Sequence, residues 1–358
     1  MSQALITRHN NGGYSKGDTI EIDKLQPVYE DKLEYRDFTY LGEGTFSNNV
    51  FVSPDSNIIY EFEASGYRSD PAGNVYVKKS TGETIATLNT KYTLGSGVGF
   101  DDDNNFYAVV YDGSVSGNYV IKITSSGICT VIYNSSSVFH GNIAYGSIYI
   151  GTSSYNFDTG SSIRRYSFSG NLISDIYDLK DEDSDITFEI YTICGENSDD
   201  TNSEPLYVGM ETYSKPADKE YYIEYLAKIS NTGRIIWQEL ADTGTICYCN
   251  GFIYYYYNHT IPDSYKIIER VSSDGTKDSN YKVNAPWNPI MELSDIIYNK
   301  QYICCYGKKG FVLIDAETGE IKYSSTLYFA NKNGEAFYNG DGHIYKVTPP
   351  TSGYKVLK

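Results

Sequence analysis

The chain has 358 residues, a formal net charge of −17 and 40% hydrophobic residues. That length admits several domains or one large all-β domain, and the hydrophobic content excludes a disordered chain. The acidic surface excludes nucleic acid and anionic membranes as expected partners. No run of about 18 apolar residues is present, so membrane insertion is not expected. The 38 Tyr and 32 Gly are the strongest departures from average. Tyr suits half-buried pleated surfaces, and Gly supplies turns.

Residues 1–35 form an N-terminal arm that stands outside the pattern of the rest. The opening MSQALITRHNNGG has no apolar h-region, so no signal peptide is expected. Ala4 to Thr7 reads as a short apolar strand, followed by a Gly-rich turn and a second strand from Thr19 to Ile22. Asp37 to Leu41 is the next strand candidate.

From residue 36 to 358 one unit returns: an alternating apolar strand, a short turn ending in Gly, and a second strand. The copies are NVYVKKSTGETIATL, YVIKITSSGICTVIY, SIRRYSFSGNLISDIY, YLAKISNTGRIIWQEL, KIIERVSSDGTKDSNYKV, FVLIDAETGEIKYSS and a weaker HIYKVTPPTSGYKVL. Their turn glycines are Gly82, Gly127, Gly170, Gly233, Gly275, Gly319 and Gly353. The spacing is roughly 43 residues, the length of a four-stranded propeller blade. Each hairpin is expected to be the outer two strands of a blade. Two inner strands precede it, for example Phe106 to Tyr111, Phe188 to Cys194 and Phe252 to Tyr257. The interval from Gly170 to Gly233 is longer and contains DLKDEDSD and GENSDDTNSEP, so enlarged acidic loops are expected on blade four near residues 178–204. The fold class expected is all-β: a single β-propeller of about seven four-stranded blades. Either Asp37 to Leu41 adds a strand to the last blade, or Tyr354 to Leu357 completes it.

Two resemblances bear on identity. Ala4-Leu5-Ile6-Thr7-Arg8, followed by Gly12-Gly13, resembles the start of structural proteins from the tail regions of bacteriophages of Gram-positive bacteria. It implies that Ala4, Leu5, Ile6, Thr7 and Arg8 attach the chain to other virion proteins. It also implies a virion location after synthesis in the host cytoplasm, with oligomers in the particle. Asn231-Thr232-Gly233-Arg234-Ile235-Ile236-Trp237 and Asp315-Ala316-Glu317-Thr318-Gly319-Glu320-Ile321 look like the D-x-x-T-G-x-x-x-W signature of quinoprotein-type propellers. That resemblance implies a Trp docking between blades, and no quinone chemistry.

No catalytic set is legible. His9, His140, His259 and His343 are scattered, and neither G-x-S-x-G nor H-E-x-x-H occurs. Cys129, Cys194, Cys247, Cys249, Cys304 and Cys305 sit in strand-like runs and read as buried small hydrophobes. Asp101-Asp102-Asp103-Asn104-Asn105 lacks the register of a Ca²⁺ loop and reads as a solvated turn. No metal or cofactor is expected. The binding candidates are aromatics in polar, turn-rich stretches: Tyr155, Tyr213, Tyr257, His259, Tyr265 and Trp287. Rings of this kind cover apolar sugar or protein surface while their polar tips hydrogen-bond. The expected function is a non-enzymatic structural or binding protein of a phage-like particle, displaying a surface for host carbohydrate or protein. A carbohydrate-active propeller hydrolase or lyase and a cytoplasmic interaction scaffold are the rival readings.

Overall fold

The computed structural model describes residues 29–32, 37–43, 50–55, 57–63, 73–112, 117–135, 138–153, 161–179, 186–196, 204–214, 222–241, 243, 245–257, 266–285, 290–297, 300–307, 310–325, 329–330, 336–340, 343–348 and 354–357. Among them no helix occurs, and none is long and apolar enough to cross a membrane. Seven four-stranded antiparallel sheets and one two-stranded ribbon account for the strands.

Six sheets take their strands in chain order, inner to outer. Blade 1 is Val50–Val52, Ile58–Phe62, Asn74–Lys79 and Thr84–Asn89. Blade 2 is Tyr92–Phe100, Phe106–Asp112, Gly117–Ile123 and Cys129–Ser135. Blade 3 is Val138–Ala144, Ser147–Ser153, Ser161–Tyr166 and Leu172–Leu179. Blade 4 is Ile186–Gly195, Leu206–Ser214, Tyr222–Ile229 and Ile235–Leu240, its first strand lying inside the 178–204 range. Blade 5 is Ile246–Cys249, Phe252–Tyr257, Lys266–Ser272 and Val283–Ala285. Blade 6 is Ile290–Ile297, Lys300–Gly307, Gly310–Asp315 and Ile321–Ser325.

Blade 7 closes the ring. Phe329–Ala330, Ala336–Gly340 and His343–Thr348 supply three strands, and Asp37–Glu43 pairs with His343–Thr348 as the outer fourth. The first of the two closures read from the sequence is therefore the one used. The seventh hairpin, HIYKVTPPTSGYKVL, is a correction. Tyr354–Leu357 pairs with Tyr29–Lys32 in the separate ribbon rather than with His343–Thr348. Gly353 lies outside the described residues.

The other six turn glycines behave as their position demands. Gly82, Gly127, Gly170, Gly233, Gly275 and Gly319 all have positive φ, between 74° and 94°, where a Cβ is strained and glycine is not. A hydroxyl three residues earlier closes four of these turns. Thr124, Ser167, Ser230 and Ser272 each accept the backbone N–H four residues on, at 2.9–3.1 Å. These are local side-chain caps of the ST-turn type.

The core lies between blades rather than beneath a single sheet. Tyr60, Phe62 and Val75 of blade 1 pack on Leu94, Phe106 and Ala108 of blade 2. Tyr107 and Val109 meet Ile148 and Ile150 of blade 3, and Tyr149 and Ile163 meet Ile190 and Leu206 of blade 4. Tyr207 and Leu226 meet Ile253 and Tyr255 of blade 5. Tyr254 and Ile268 meet Ile303 and Val312 of blade 6. Both faces of blades 2 to 5 are thus apolar, so their strands read as continuous apolar runs. Trp237 docks forward across one such interface. Its Nε1–H donates to Ser273 O at 3.1 Å, and a Cβ at Gly275 would lie 3.0 Å from its ring.

Candidate functional site

A second repeated unit lies inside the hairpins. The residue five before the turn glycine is basic in four consecutive blades: Lys122, Arg165, Lys228 and Arg270. Each is the cross-strand partner of a second-strand tyrosine: Tyr107, Tyr149, Tyr207 and Tyr254. Antiparallel partners share a sheet face, so each cation lies over its ring, at 5.3, 5.6, 5.3 and 6.0 Å. Desolvated cation–π contacts of this kind contribute about 2 kcal/mol.

Each cation also holds a carboxylate. Lys122 meets Asp101 at 3.2 Å, Arg165 meets Glu204 at 2.5 Å, Lys228 meets Glu196 at 3.2 Å, and Arg270 meets Asp278 at 2.7 Å. The same units reach forward to turns of the following blade. Tyr107 Oη donates to Phe168 O at 3.3 Å, and Lys228 Nζ donates to Ser273 O at 3.0 Å. Arg270 Nη1 donates to Ala316 O at 2.8 Å. Blade 1 keeps the tyrosine without the cation: Tyr60 faces Val77, and its hydroxyl donates to Asn104 O at 2.6 Å. Blade 6 has Ile303 opposite Ile314 and lacks the unit. These Tyr–cation–acid latches were missed in the sequence. Their signal was the Lys or Arg at fixed distance before the glycine.

The latches have an electrostatic signature. Burial raises the phenol pKa of Tyr149 to about 12, and raises those of Tyr107, Tyr207 and Tyr254 as well. Burial also raises the Asp101 carboxyl, but hydrogen bonds from Asn105, Tyr107 and Lys122 outweigh it, so it lies below the ordinary value. Asp101 is buried, unlike the solvated turn expected, and it also accepts the N–H of Asp103 and Asn105. Asp102 and Asp103 remain exposed. The three aspartates, Lys122, Phe168 and Ser169 line an open depression of about 370 Å³ between blades 2 and 3.

Three core thiols and His140 are held neutral. Burial raises the Cys249 thiol to about 11 and pushes Cys194 and Cys305 up further. Such thiols are protonated at neutral pH and are poor nucleophiles. Burial lowers His140, on the innermost strand of blade 3, to about 4. Among the described residues no group of three or more His, Cys, Asp or Glu could hold a metal ion.

The latches define the two ends of the ring. First-to-second and third-to-fourth turns lie at one end, because the forward bonds run between them. Antiparallel pairing puts the strand ends flanking the other connections at the opposite end. Tyr213 and Tyr257 lie near the ends of the second strands of blades 4 and 5, in register with Tyr222 and Ile267. Both therefore fall at that opposite end. Tyr155, His259, Tyr265 and Trp287 lie outside the described residues. The strands that bracket them end and begin at the same end: Ser147–Ser153 and Ser161–Tyr166, Phe252–Tyr257 and Lys266–Ser272, Val283–Ala285 and Ile290–Ile297. Ala4, Leu5, Ile6, Thr7 and Arg8 also lie outside the described residues.

No family model matches the chain, and no curated protein matches it. Solved structures do. The AfRom2 CNH domain is similar over 87% of this chain and 99% of its own, at 12% identity and a TM-score of 0.50. An oligogalacturonate lyase in complex with manganese is similar over 86% of this chain and 78% of its own, at 10% identity and a TM-score of 0.47. Prolyl oligopeptidase B from Galerina marginata is similar over 83% of this chain and 44% of its own, at 8% identity and a TM-score of 0.45. The chain is a β-propeller built of repeated blades.

Proposed function

We propose that this propeller is a non-catalytic binding module that works through the end opposite its latches. One observation carries the reading: Tyr213 and Tyr257 fall at that end, and the strands that bracket the other four candidates end and begin there, while the latches of the other end are closed on themselves. Cations, carboxylates and phenols of the latch end bind each other and the next blade. Loop aromatics held on a rigid scaffold suit carbohydrate or protein surfaces. The buried thiols and the neutral His140 support a scaffold role rather than a catalytic one.

The experiment is binding to host cells and to a carbohydrate array, comparing the protein with Tyr257→Ala and Trp287→Ala. The reading expects at least a tenfold loss of affinity with an unchanged melting temperature. Full binding by both variants overturns it, as does turnover of a glycan by the unmodified protein.

Within that class we infer a component of a phage-like particle, attached by its arm and tied to virion proteins. The support is the resemblance of Ala4 to Arg8 and Gly12-Gly13 to phage tail proteins. The expectation is copurification with particles and release when residues 1–28 are deleted. Absence from purified particles overturns the inference.

A further inference from the structure

We propose that the outer edge of blades 2 to 4 receives the N-terminal arm of a second copy of this chain. This goes beyond the binding reading, since it concerns the perimeter rather than the loop end.

Among the described residues seven large hydrophobics are exposed, and six fall on one sector of the perimeter. They are Ile128 and Val131 on blade 2, Leu172 and Ile173 on blade 3, and Ile236 and Leu240 on blade 4. Each is 48–71% exposed, Leu240 most of all. All lie on, or at the start of, an outermost strand. Exposed edges normally carry Lys, Pro or other charge to discourage docking. These three edge strands, CTVIYNS, LISDIYDL and IIWQEL, hold no base and no proline. Exposed apolar side chains on three successive blade edges mark an interaction surface.

The charges select the occupant. The edge strands carry Asp175, Asp178 and Glu239, and Asp175 is engaged by Arg164 at 2.9 Å. Two such perimeters face to face would set acid against acid in a chain of net charge −17. Residues 1–17 are the complement. They hold the apolar Ala4-Leu5-Ile6, the cations Arg8 and Lys16, and no acid.

Tyr29–Lys32 is tied to Tyr354–Leu357, and Asp37–Glu43 is the outer strand of blade 7. The arm therefore departs beside blade 7, whereas the apolar sector centres on blade 3, across the ring. Residues 6 to 29 span at most roughly 75 Å when extended. That length reaches the perimeter of a neighbouring copy, so the arm of one molecule can lie on the sector of the next. The resulting contact is head to tail.

The test uses the full chain in light scattering across a concentration series. An oligomer is expected, with reversion to the 40.2 kDa monomer in Leu5→Asp/Ile6→Asp and in Ile236→Asp/Leu240→Asp. Ile321→Asp, exposed on blade 6, should leave the oligomer intact. A photo-crosslinker at position 5, in a mixture of isotopically light and heavy chains, should yield mixed-isotope links to the 235–240 peptide. This arm of the test holds even if the perimeter variant folds poorly. A monomer at every concentration, links within one isotope only, or an oligomer indifferent to both double variants overturns the proposal. None of these outcomes depends on glycan binding or on particles.

Discussion

The hydroxyl of Tyr254 donates to the carbonyl of Ala316 at 2.6 Å, crossing from blade 5 to the hairpin turn of blade 6. In the same interface the hydroxyl of Tyr281 is buried and has no partner among the described residues. Two phenols of one cluster thus stand in opposite states, one spanning a blade boundary and one unsatisfied.

That contrast gives the first prediction. Tyr254→Phe should destabilise by about 1 kcal/mol, because it removes one of the two donors to the Ala316 carbonyl and leaves only Arg270 Nη1 on it. Tyr281→Phe should be neutral or stabilising by about 1 kcal/mol, because it removes an unpaired hydroxyl. Urea unfolding midpoints of the two variants should move in opposite directions or differ clearly in size.

Arg270 is the most heavily used latch cation. It lies 4.2 Å from the Tyr281 ring and 4.3 Å from the Phe252 ring, and it binds Asp278 and two carbonyls of blade 6. Arg270→Met should be clearly destabilising, because it removes a part-buried ion pair together with two bonds to the next blade. Arg270→Lys should recover only part, since a point charge cannot reproduce the fork. Equilibrium unfolding of both variants measures the difference.

The Trp237 dock makes two substitutions equivalent. Trp237→Ala removes the large ring and should cost about 3 kcal/mol. Gly275→Ala forces a Cβ towards that ring at a φ of 94°, and should cost about 1–3 kcal/mol. The double variant should cost less than the sum of the two. A double-mutant cycle reads the coupling.

Stability should fall with acid in two stages. The folded pKa of His140, about 4, lies below its ordinary 6.5. The unfolded chain therefore takes up the proton first, and stability declines as pH drops from 6.5 towards 4, by up to about 3 kcal/mol. Asp101, Glu269 and Asp278 are also depressed. Their contribution is full above the unfolded carboxylate range near 4 and fades as pH falls through the folded values. Urea midpoints from pH 8 to pH 3 should show both stages, and His140→Asn should flatten only the first.

The blade period was legible because turn chemistry is local: a glycine at positive φ and a hydroxyl three residues before it sit in one hairpin. The inter-blade fate of Tyr254, Tyr255 and Tyr256 followed from the same reading, and all three are buried. The latches were harder to see. A lone Lys228 in an apolar strand reads as a snorkelling surface cation. Its real partners, Glu196 and Ser273, are 32 and 45 residues away. The seventh hairpin misled because Tyr354–Leu357 has the local pattern of a fourth strand. Its true partner, Tyr29–Lys32, lies at the far end of the chain. The six candidate aromatics were chosen by polarity of context; strand register puts Tyr213 and Tyr257 at one end of the ring, and the other four lie outside the described residues.

The pairing of Asp37–Glu43 with His343–Thr348 also sets a schedule. On the ribosome the strand that emerges early must wait until nearly all the rest has been made. Blades 1 to 6 are assembled from contiguous segments and need no such delay, so they can form in order of emergence. Until the last blade arrives, the early strand keeps an unpaired edge, and the growing ring stays open and exposed to wrong partners. A stalled or truncated chain would therefore be an open arc, and the cell's folding helpers would meet it at that seam.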